Sequence, residues 1–486
     1  MSQQQAIELT KKQERCVTFK PEGDLLIQGI PGSGKSTILM ARSQHLKETL
    51  PLDSLVILTF SRALTNYVRQ IAAKTTSTPL DAKTFHQWGQ ELLEHTNHPY
   101  TRLMMGDQRE KVIRFAKNIV NKKNENVNFP KMKTTKREEQ ALVTFLCDEI
   151  EWIKGAGISS RKEYFSTKRS GRGTDIRVTK EHRETIYDVL EKYNELLANH
   201  SRYQGIDGDD LARILVEKAS QIPDRYKPDH ILVDEAQDLH TMQLKAISSI
   251  TKKSLTIGAD KGQQIYRRTF TWKNAGIKVV GNRSLLLKQT FRSTRQIVRL
   301  ANHFQEQDQY YITDEDYNKA EEPNVDGKIP ELCLCPDKSS EEKCILEYVK
   351  TIRTSYPEDT IGIIAQSHYK LGTLKDLLDS KGIVVYQIRE DNSDFVSPGV
   401  KLITYQSSKG LEFDHVIVID LKKGKLPFKS PSPGEDEEEF MSRERKKLYV
   451  AMTRAKKTLT LLATKEYSQF VNDLDPNLYC LKNNEQ

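Results

Sequence analysis

One run near the start of the chain, Gly29-Ile30-Pro31-Gly32-Ser33-Gly34-Lys35-Ser36, narrows the available folds more than any other stretch. It fits G-x-x-x-x-G-K-[ST]. In such a loop the glycines let backbone N–H groups close around phosphate, and the helix that follows adds positive potential at its N-terminus. The flanks agree. Asp24-Leu25-Leu26-Ile27 reads as a short buried strand, and Ile38-Leu39-Met40-Ala41 opens a helix. Lys35 then reaches the β- and γ-phosphates of a nucleotide, with the Ser36 hydroxyl on Mg²⁺. A second strand, Leu55–Phe60, and a helix from Ala63 to Ala73 continue the alternation expected of a parallel sheet with crossover helices. A glycine turn that binds nothing is the bland alternative, and the strand–loop–helix context argues against it.

The 486 residues suffice for two to four domains. No apolar run approaches the ~20 residues needed to span a bilayer, and Met1-Ser2-Gln3-Gln4-Gln5 lacks a basic-then-apolar leader. The cytoplasm is the expected location. A net charge of +8 permits a polyanionic partner without requiring one. The cysteines at 16, 147, 333, 335, 344 and 480 have no zinc-like spacing and read as reduced, structural thiols.

The pattern divides the chain. Residues 1–90 with 228–284 read as a first α/β domain interrupted by a helical, basic insertion over 91–227. Residues 285–475 read as a second α/β domain, and 476–486 as a tail. Within the insertion, basic residues cluster over 111–137 and 161–180, as a surface following a phosphate backbone would. Solvated helix is the competing reading. No internal repeat is visible by period, although two similar α/β units are implied.

A nucleotide hydrolase also needs carboxylates at the end of a buried strand. Ile231-Leu232-Val233-Asp234-Glu235 supplies them. Asp234 is suited to hold Mg²⁺, directly or through water, and Glu235 to orient and deprotonate the attacking water.

With these elements in order, the chain resembles the UvrD/Rep-like branch of superfamily 1 helicases. Leu9 to Gln13 is similar to the family's adenine-reading Q motif, and Gly29 to Thr37 to motif I. Leu58 to Leu64 resembles motif Ia, Thr84-Phe85-His86 motif Ib, and Asp234 to Asp238 motif II. Gly258 to Arg267 resembles motif III, Gln289 to Thr294 motif IV, Thr404 to Phe413 motif V, and Leu448 to Ala455 motif VI. The resemblance implies two RecA-like parallel-sheet domains and an ATP- and Mg²⁺-dependent motor moving 3′→5′ on single-stranded or forked DNA, with RNA left open. It implies that Arg292 and Arg454 reach the γ-phosphate from the second domain and that Gln263 senses it. It also implies that Phe291 stacks on adenine, Glu412 accepts from the ribose and Gln13 reads the adenine edge. Gly29, Gly32, Ser33, Gly34, Lys35, Ser36 and Thr37 form the phosphate cradle. Phe60, Phe85, His86, Tyr266 and Trp272 are the nucleic-acid candidates, since aromatic stacking is worth ~1–3 kcal/mol per base. Each of these rings, read alone, is as consistent with core packing.

The chain departs from the family pattern in three places. Only about 15 residues separate the α/β unit ending at Tyr386 from motif V at Val400, so the large subdomain relatives carry there is missing. That places processive unwinding and the family's usual autoinhibition, but not ATP hydrolysis or single-strand translocation, in question. Motif III holds an extra residue before Gln263 and continues as in helicases that work beside a nuclease. No nuclease-like cluster occurs in the chain, so a nuclease would be a separate subunit, in DNA repair or in defence against foreign DNA. Thr37 replaces an arginine that relatives use on phosphate. The alternative function is a nucleic-acid-sensing ATPase subunit that gates a partner nuclease and unwinds little. Oligomeric state is not legible.

Overall fold

The computed structural model describes residues 9–75, 79–96, 98, 102–123, 127–132, 138–169, 178–260, 272–312, 319–388, 393–428 and 437–483. Gln263 and Tyr266 lie outside them, as do Lys133, Lys136 and Arg137 of the basic insertion.

Helix α1 (Lys11–Val17) starts at Thr10, whose hydroxyl accepts from the Gln13 N–H while the Gln13 carbonyl accepts from the Thr10 N–H. Strand β1 (Gly23–Gly29) leads through the glycine loop into α2 (Lys35–Thr49); β2 (Leu55–Thr59), α3 (Arg62–Thr75), β3 (Ala82–Thr84) and α4 (Phe85–Glu94) follow. The insertion then runs through β4 (Leu103–Met104), α5 (Gly106–Lys123), α6 (Glu138–Ala156), α7 (Arg161–Ser166), α8 (Lys180–Asn199), β5 (Ile206–Asp207) and α9 (Gly208–Lys218). The first lobe resumes with β6 (His230–Val233), α10 (Thr241–Ile250), β7 (Ser254–Ala259) and β8 (Ser284–Leu287). The second holds α11 (Arg295–Glu306), α12 (Gln309–Ile312), β9 (Glu331–Cys335), α13 (Lys338–Ser355), β10 (Thr360–Ala365), α14 (His368–Ser380), β11 (Val385–Gln387), β12 (Gly399–Thr404), β13 (Phe413–Val418), α15 (Glu437–Met452), β14 (Ala455–Thr464) and β15 (Cys480–Asn483).

The two expected RecA-like units are present. Among the described residues the first sheet is six-stranded in the order β3-β2-β6-β7-β1-β8, and the second seven-stranded in the order β11-β12-β10-β13-β14-β9-β15, with every named pairing parallel. Strands β2, β6 and β7 are buried at every position. This is why they read as continuous apolar runs: helices cover both faces of a parallel sheet.

Three boundaries move. β8 pairs with β1, so the crossing into the second lobe follows Leu287 and a cut at 285 would split a strand. Helix α9 is not part of the insertion's core. Leu211 and Leu215 pack with Leu92 and Leu93 in the first lobe, whereas the insertion has its own core around Ile113, Leu146, Ile153 and Tyr193. The expected tail contains an edge strand, because Cys480 to Asn483 pairs with β9. The strands at both outer edges were missed because Ser284-Leu285-Leu286-Leu287 and Cys480-Leu481-Lys482-Asn483 are short and half exposed, with no alternation to mark them.

The lobes are two copies of one plan. Removing β11 leaves β12-β10-β13-β14-β9-β15, which matches β3-β2-β6-β7-β1-β8 strand for strand. At the N-terminal ends of the central strands the match is atomic. In the first lobe the His230 imidazole lies 2.7 Å from Ser254 Oγ and 3.0 Å from Asp53, and Lys253 is 2.6 Å from Asp53. Asp229 accepts from the Ser54 N–H and hydroxyl at 2.9 and 2.8 Å. In the second lobe His415 lies 2.8 Å from Thr458 Oγ1 and 3.0 Å from Asp359, with Lys457 at 2.7 Å from Asp359. Asp414 accepts from the Thr360 N–H and hydroxyl at 3.0 and 2.8 Å. The Ser–His–Asp connectivity is not catalytic here, because both imidazoles are buried and the same arrangement recurs with threonine. It satisfies polar groups that the parallel sheets would otherwise bury unpaired.

Candidate functional site: a phosphate cleft between the lobes

The C-terminal ends of β1, β6 and β7 converge on one cleft. Gly32 and Gly34 adopt φ of 74° and 84°, which a side chain at either position would resist. A Cβ on Gly32 would also lie 2.4 Å from Thr290 Oγ1. Gly34 caps α2 without a side-chain hydrogen bond, leaving the first-turn N–H groups of the helix for a ligand. Ser33 Oγ is buried in the loop with no hydrogen-bond partner among the described residues. A buried donor aimed into a glycine cradle at a helix N-terminus is what a bound phosphate would satisfy.

Lys35 fills this space from within. Its ammonium donates to the carbonyls of Gly29 and Ile30 at 2.7 and 3.0 Å and pairs with Asp260 at 3.3 Å. The Ser36 hydroxyl donates to Asp234 at 2.5 Å, so the residues suited to a hard divalent cation already touch. Burial, helped by the charge of Glu235, pushes the Asp234 carboxyl up to about 6. Glu235 takes the opposite course. Burial would raise it, but Lys409, Lys35 and Arg454 outweigh burial and hold it ionised below the usual carboxylate range. Its backbone is left-handed at φ 53°, a sparsely occupied conformation for a non-glycine residue. Gln237 donates to the Glu235 carboxylate at 2.5 Å and accepts from the Asp260 N–H at 2.9 Å, tying the two strand ends together.

The second lobe completes the cleft. The Phe291 N–H donates to the Gly32 carbonyl at 2.8 Å, which lays the segment carrying Arg292 directly on the glycine loop. Arg292 donates to Glu412 at 2.9 Å and to the Thr453 carbonyl at 3.3 Å. Burial would raise Glu412, yet Arg292 and Lys456 bring it down to about 2. Arg454 is buried, with its guanidinium donating to the Val450 and Leu411 carbonyls at 2.9 and 3.2 Å. Burial, reinforced by Arg292, lowers it to about 9, so it remains a cation at neutral pH. Lys409 crosses between the lobes to Asp238 at 2.6 Å and lies 3.7 Å from Glu235.

The structure thus brings Gly29, Gly32, Ser33, Gly34, Lys35, Ser36, Asp234, Glu235, Arg292, Glu412 and Arg454 around one cleft. Thr37, the third residue of α2, adjoins it, and Phe291 stands at its rim, 49% exposed. Gln13 is placed differently from the adenine-reading expectation. Its carbonyl accepts from both the N–H and the hydroxyl of Thr10, and its amide donates to the Ser33 carbonyl at 3.1 Å. Gln13 therefore braces the phosphate loop.

Among the nucleic-acid candidates, Phe60 and Trp272 are partly buried beside one core and keep exposed surface. Phe85 does not. It is 2% exposed, packed edge-on against His86 and at a tilt against Trp88, so it has no face to offer a base and serves as core. His86 is mostly enclosed, and burial together with His240 lowers it to about 4. In the insertion Arg169 is a buried partner of Glu149, and Arg161 pairs with Glu184, Asp188 and Glu191. These two basic residues serve the subdomain's own fold rather than a phosphate backbone. Sequence reasoning passed over Gln237, Asp260 and Lys409 as site residues. Their only signal was membership of the quoted motifs; which charge meets which is a tertiary fact.

Comparison with known proteins agrees with this geometry. Residues 9–284 match the model of the UvrD/REP helicase N-terminal domain, and residues 386–466 that of the UvrD-like helicase C-terminal domain. A DNA helicase II homologue of Mycoplasma capricolum is 24% identical over 72% of this chain and 48% of its own length. The ATP-dependent DNA helicase Rep of Buchnera aphidicola is 22% identical over 81% of this chain and 57% of its own. A Mycoplasma pneumoniae protein described as a DNA helicase is 21% identical over 94% of this chain and 83% of its own. The chain thus spans about half the length of the first two relatives.

Proposed function

The chain belongs to the UvrD/REP helicase family, and from that premise we propose that it couples ATP hydrolysis to 3′→5′ movement along single-stranded DNA. The observation that carries the reading is the placement of Arg292 and Arg454, from the second lobe, around the same cleft as Lys35 and Glu235 from the first. A site assembled from two lobes is sensitive to their approach, which is what a nucleotide-driven ratchet requires. In this reading Lys35 leaves Asp260 for the β- and γ-phosphates. Glu235, kept ionised and oriented by Gln237, accepts a proton from the attacking water. Arg292 and Arg454 stabilise the charge that spreads over the phosphoryl oxygens. Ser36 and Asp234 would hold Mg²⁺, which when bound supplies charge neutralisation on the phosphates. Phe291 stacks on adenine, Glu412 accepts from the ribose, Gln13 braces the phosphate loop, and Gln263 senses the γ-phosphate. Phe60 and Trp272, with Tyr266, form the stacking path, and His86 supports it. Polarity and a place in DNA repair or anti-phage defence rest on family resemblance.

A second reading is an ATPase subunit that senses nucleic acid and gates a separate nuclease. One observation favours it: β11 and β12 are joined by residues 388–398 alone, with no subdomain to act on a duplex. The two readings separate in one experiment. Purified protein is assayed for oligo(dT)-stimulated ATPase and for opening of a 3′-tailed fork, with Lys35→Ala as control. Stimulation with unwinding supports the motor. Stimulation without unwinding supports the gate. ATP turnover that ignores DNA, or wild-type turnover by Lys35→Ala, refutes the site assignment.

A further inference from the structure

The segment that leaves β6 with Glu235 is a short, tight turn. The Asp238 N–H donates to the Glu235 carbonyl and the Leu239 N–H to the Ala236 carbonyl, at 3.0 and 3.1 Å. Within it, Gln237 donates to the Glu235 carboxylate, and Asp238 receives Lys409 from the second lobe. Strand β6 holds the front of this turn. Its rear is held at His240, the residue that opens α10. His240 in turn is seated on α6 of the insertion. Its ring lies against Gly155, where a Cβ would come within 2.3 Å of His240 Nδ1, so the close approach requires glycine. Its Nε2 is 3.1 Å from Glu151 Oε1, one helical turn earlier on the same face of α6. A carboxylate only accepts, so Nε2 carries the proton. Just beyond α6, Gly157 makes room for Met242 of α10 in the same way, since a Cβ there would lie 2.6 Å from the sulfur. Glu151 is itself held by Arg109 of α5 at 3.0 Å. Lys154, also on α6, pairs with Asp207 and Asp210 at the start of α9, at 2.8 Å each. Helix α6 is thus fastened to the first lobe both at α9 and at the end of the turn that begins with Glu235.

We propose that Glu151 and His240 are positioning residues for the hydrolytic carboxylate. Through α6, the insertion sets the orientation of the turn that runs from Glu235 to Asp238. The insertion then takes part in ATP turnover through its root, whatever its basic surface binds. The proposal rests on the assignment of Glu235 made above.

Glu151→Leu removes the acceptor, and His240→Phe removes the donor while keeping a ring on Gly155. Each should lower kcat about three- to tenfold, the range of one hydrogen bond. KM for ATP should not change, because Lys35 and the glycine loop lie on other elements. The double variant should be no slower than either single one, since the link is already broken. Glu151→Gln keeps an oxygen for the Nε2–H and should recover most of the loss. Gly155→Ala, which pushes the ring aside, should be as slow as His240→Phe. Wild-type kcat in either single variant, effects that multiply in the double variant, or equal losses in Glu151→Gln and Glu151→Leu would overturn the proposal. So would a kcat that falls only in proportion to the folded fraction read from thermal melts. Failure of the underlying site is seen separately, as wild-type turnover in Glu235→Gln.

Discussion

Asp234→Asn should make the metal-free protein more stable at pH 8 while removing its ATPase. In the folded chain the Asp234 carboxyl is buried beside Glu235 and pushed up to about 6, against 3.8 ordinarily. A difference of roughly two pH units corresponds to about 3 kcal/mol at ~1.4 kcal/mol per unit. The sign follows from proton binding. Between about pH 4 and 6 the unfolded chain has released its proton and the folded chain still holds it. Stability therefore falls as pH rises through that window, and the whole penalty is present above pH 6. Asparagine has no proton to release. It keeps an oxygen for the Ser36 hydroxyl but loses the charge assistance of that bond, worth about 1 kcal/mol. The net expectation is a variant about 2 kcal/mol more stable at pH 8, or roughly 4–8 °C in melting temperature for a lobe of this size. At pH 4.5 it should be equal to or slightly below wild type. Calorimetry in EDTA at the two pH values measures the difference. An asparagine variant less stable than wild type at pH 8, or a difference that does not change with pH, would refute the burial argument.

Arg454→Ala should lower kcat by about 10²–10³-fold, with a smaller change in KM, because its charge serves the transition state; retention of wild-type kcat in steady-state assays would remove it from the site. Neutralising Lys131, Lys133, Lys136 and Arg137 together should weaken DNA binding and reduce the slope of log K against log salt; an unchanged slope in a fluorescence-anisotropy titration returns that stretch to ordinary surface. His230→Ala and His415→Ala should each destabilise by about 2–4 kcal/mol, through lost buried hydrogen bonds and a cavity. Both should leave kcat per folded molecule intact, since the two clasps lie at the strand ends away from the cleft; thermal melts alongside ATPase assays separate the two effects.

The cleft was legible wherever chemistry forces a local pattern. A phosphate loop must be glycine-rich and sit between strand and helix, so Gly29–Ser36 identified itself, and Asp234-Glu235 ended an apolar run that had to be a buried strand. What was not legible is what three dimensions decide. Gln13 carries the right side chain in the right motif, yet its position beside Ser33 assigns it to bracing the loop. Phe85 has a motif neighbour's identity and a core residue's burial. The matched clasps were also in the sequence, as Asp53-Ser54 with Asp359-Thr360, Asp229-His230 with Asp414-His415, and Lys253-Ser254 with Lys457-Thr458. They had no period because the helical insertion separates the first two in one lobe and nothing comparable does so in the other. Only strand register aligns them.

That register also explains why two copies of one plan make a single ATP site. Leu25 pairs with Thr256, and Glu331 with Thr460. Counting forward equally from Leu25 and Glu331, the position of Lys35 is taken in the second lobe by Glu341. On the neighbouring strands, Asp420 stands where Glu235 does and Thr464 where Asp260 does. The geometry persists while the charges do not. Asp420 keeps the left-handed backbone of Glu235, at φ 66°. Glu341 accepts from Thr464 at 3.1 Å and from Lys370 at 2.6 Å, reversing the polarity of the Lys35–Asp260 pair. A carboxylate in the place of the phosphate-binding ammonium would meet a phosphate with a like charge, a repulsion of about 4 kcal/mol at 4 Å near a protein surface. The end of the sheet that stabilises the fold is kept in both lobes, and the end that does chemistry is kept in one. The second lobe's contribution to hydrolysis then has to come from elsewhere on its surface, and the residues it sends into the first lobe's cleft are Arg292, Lys409 and Arg454.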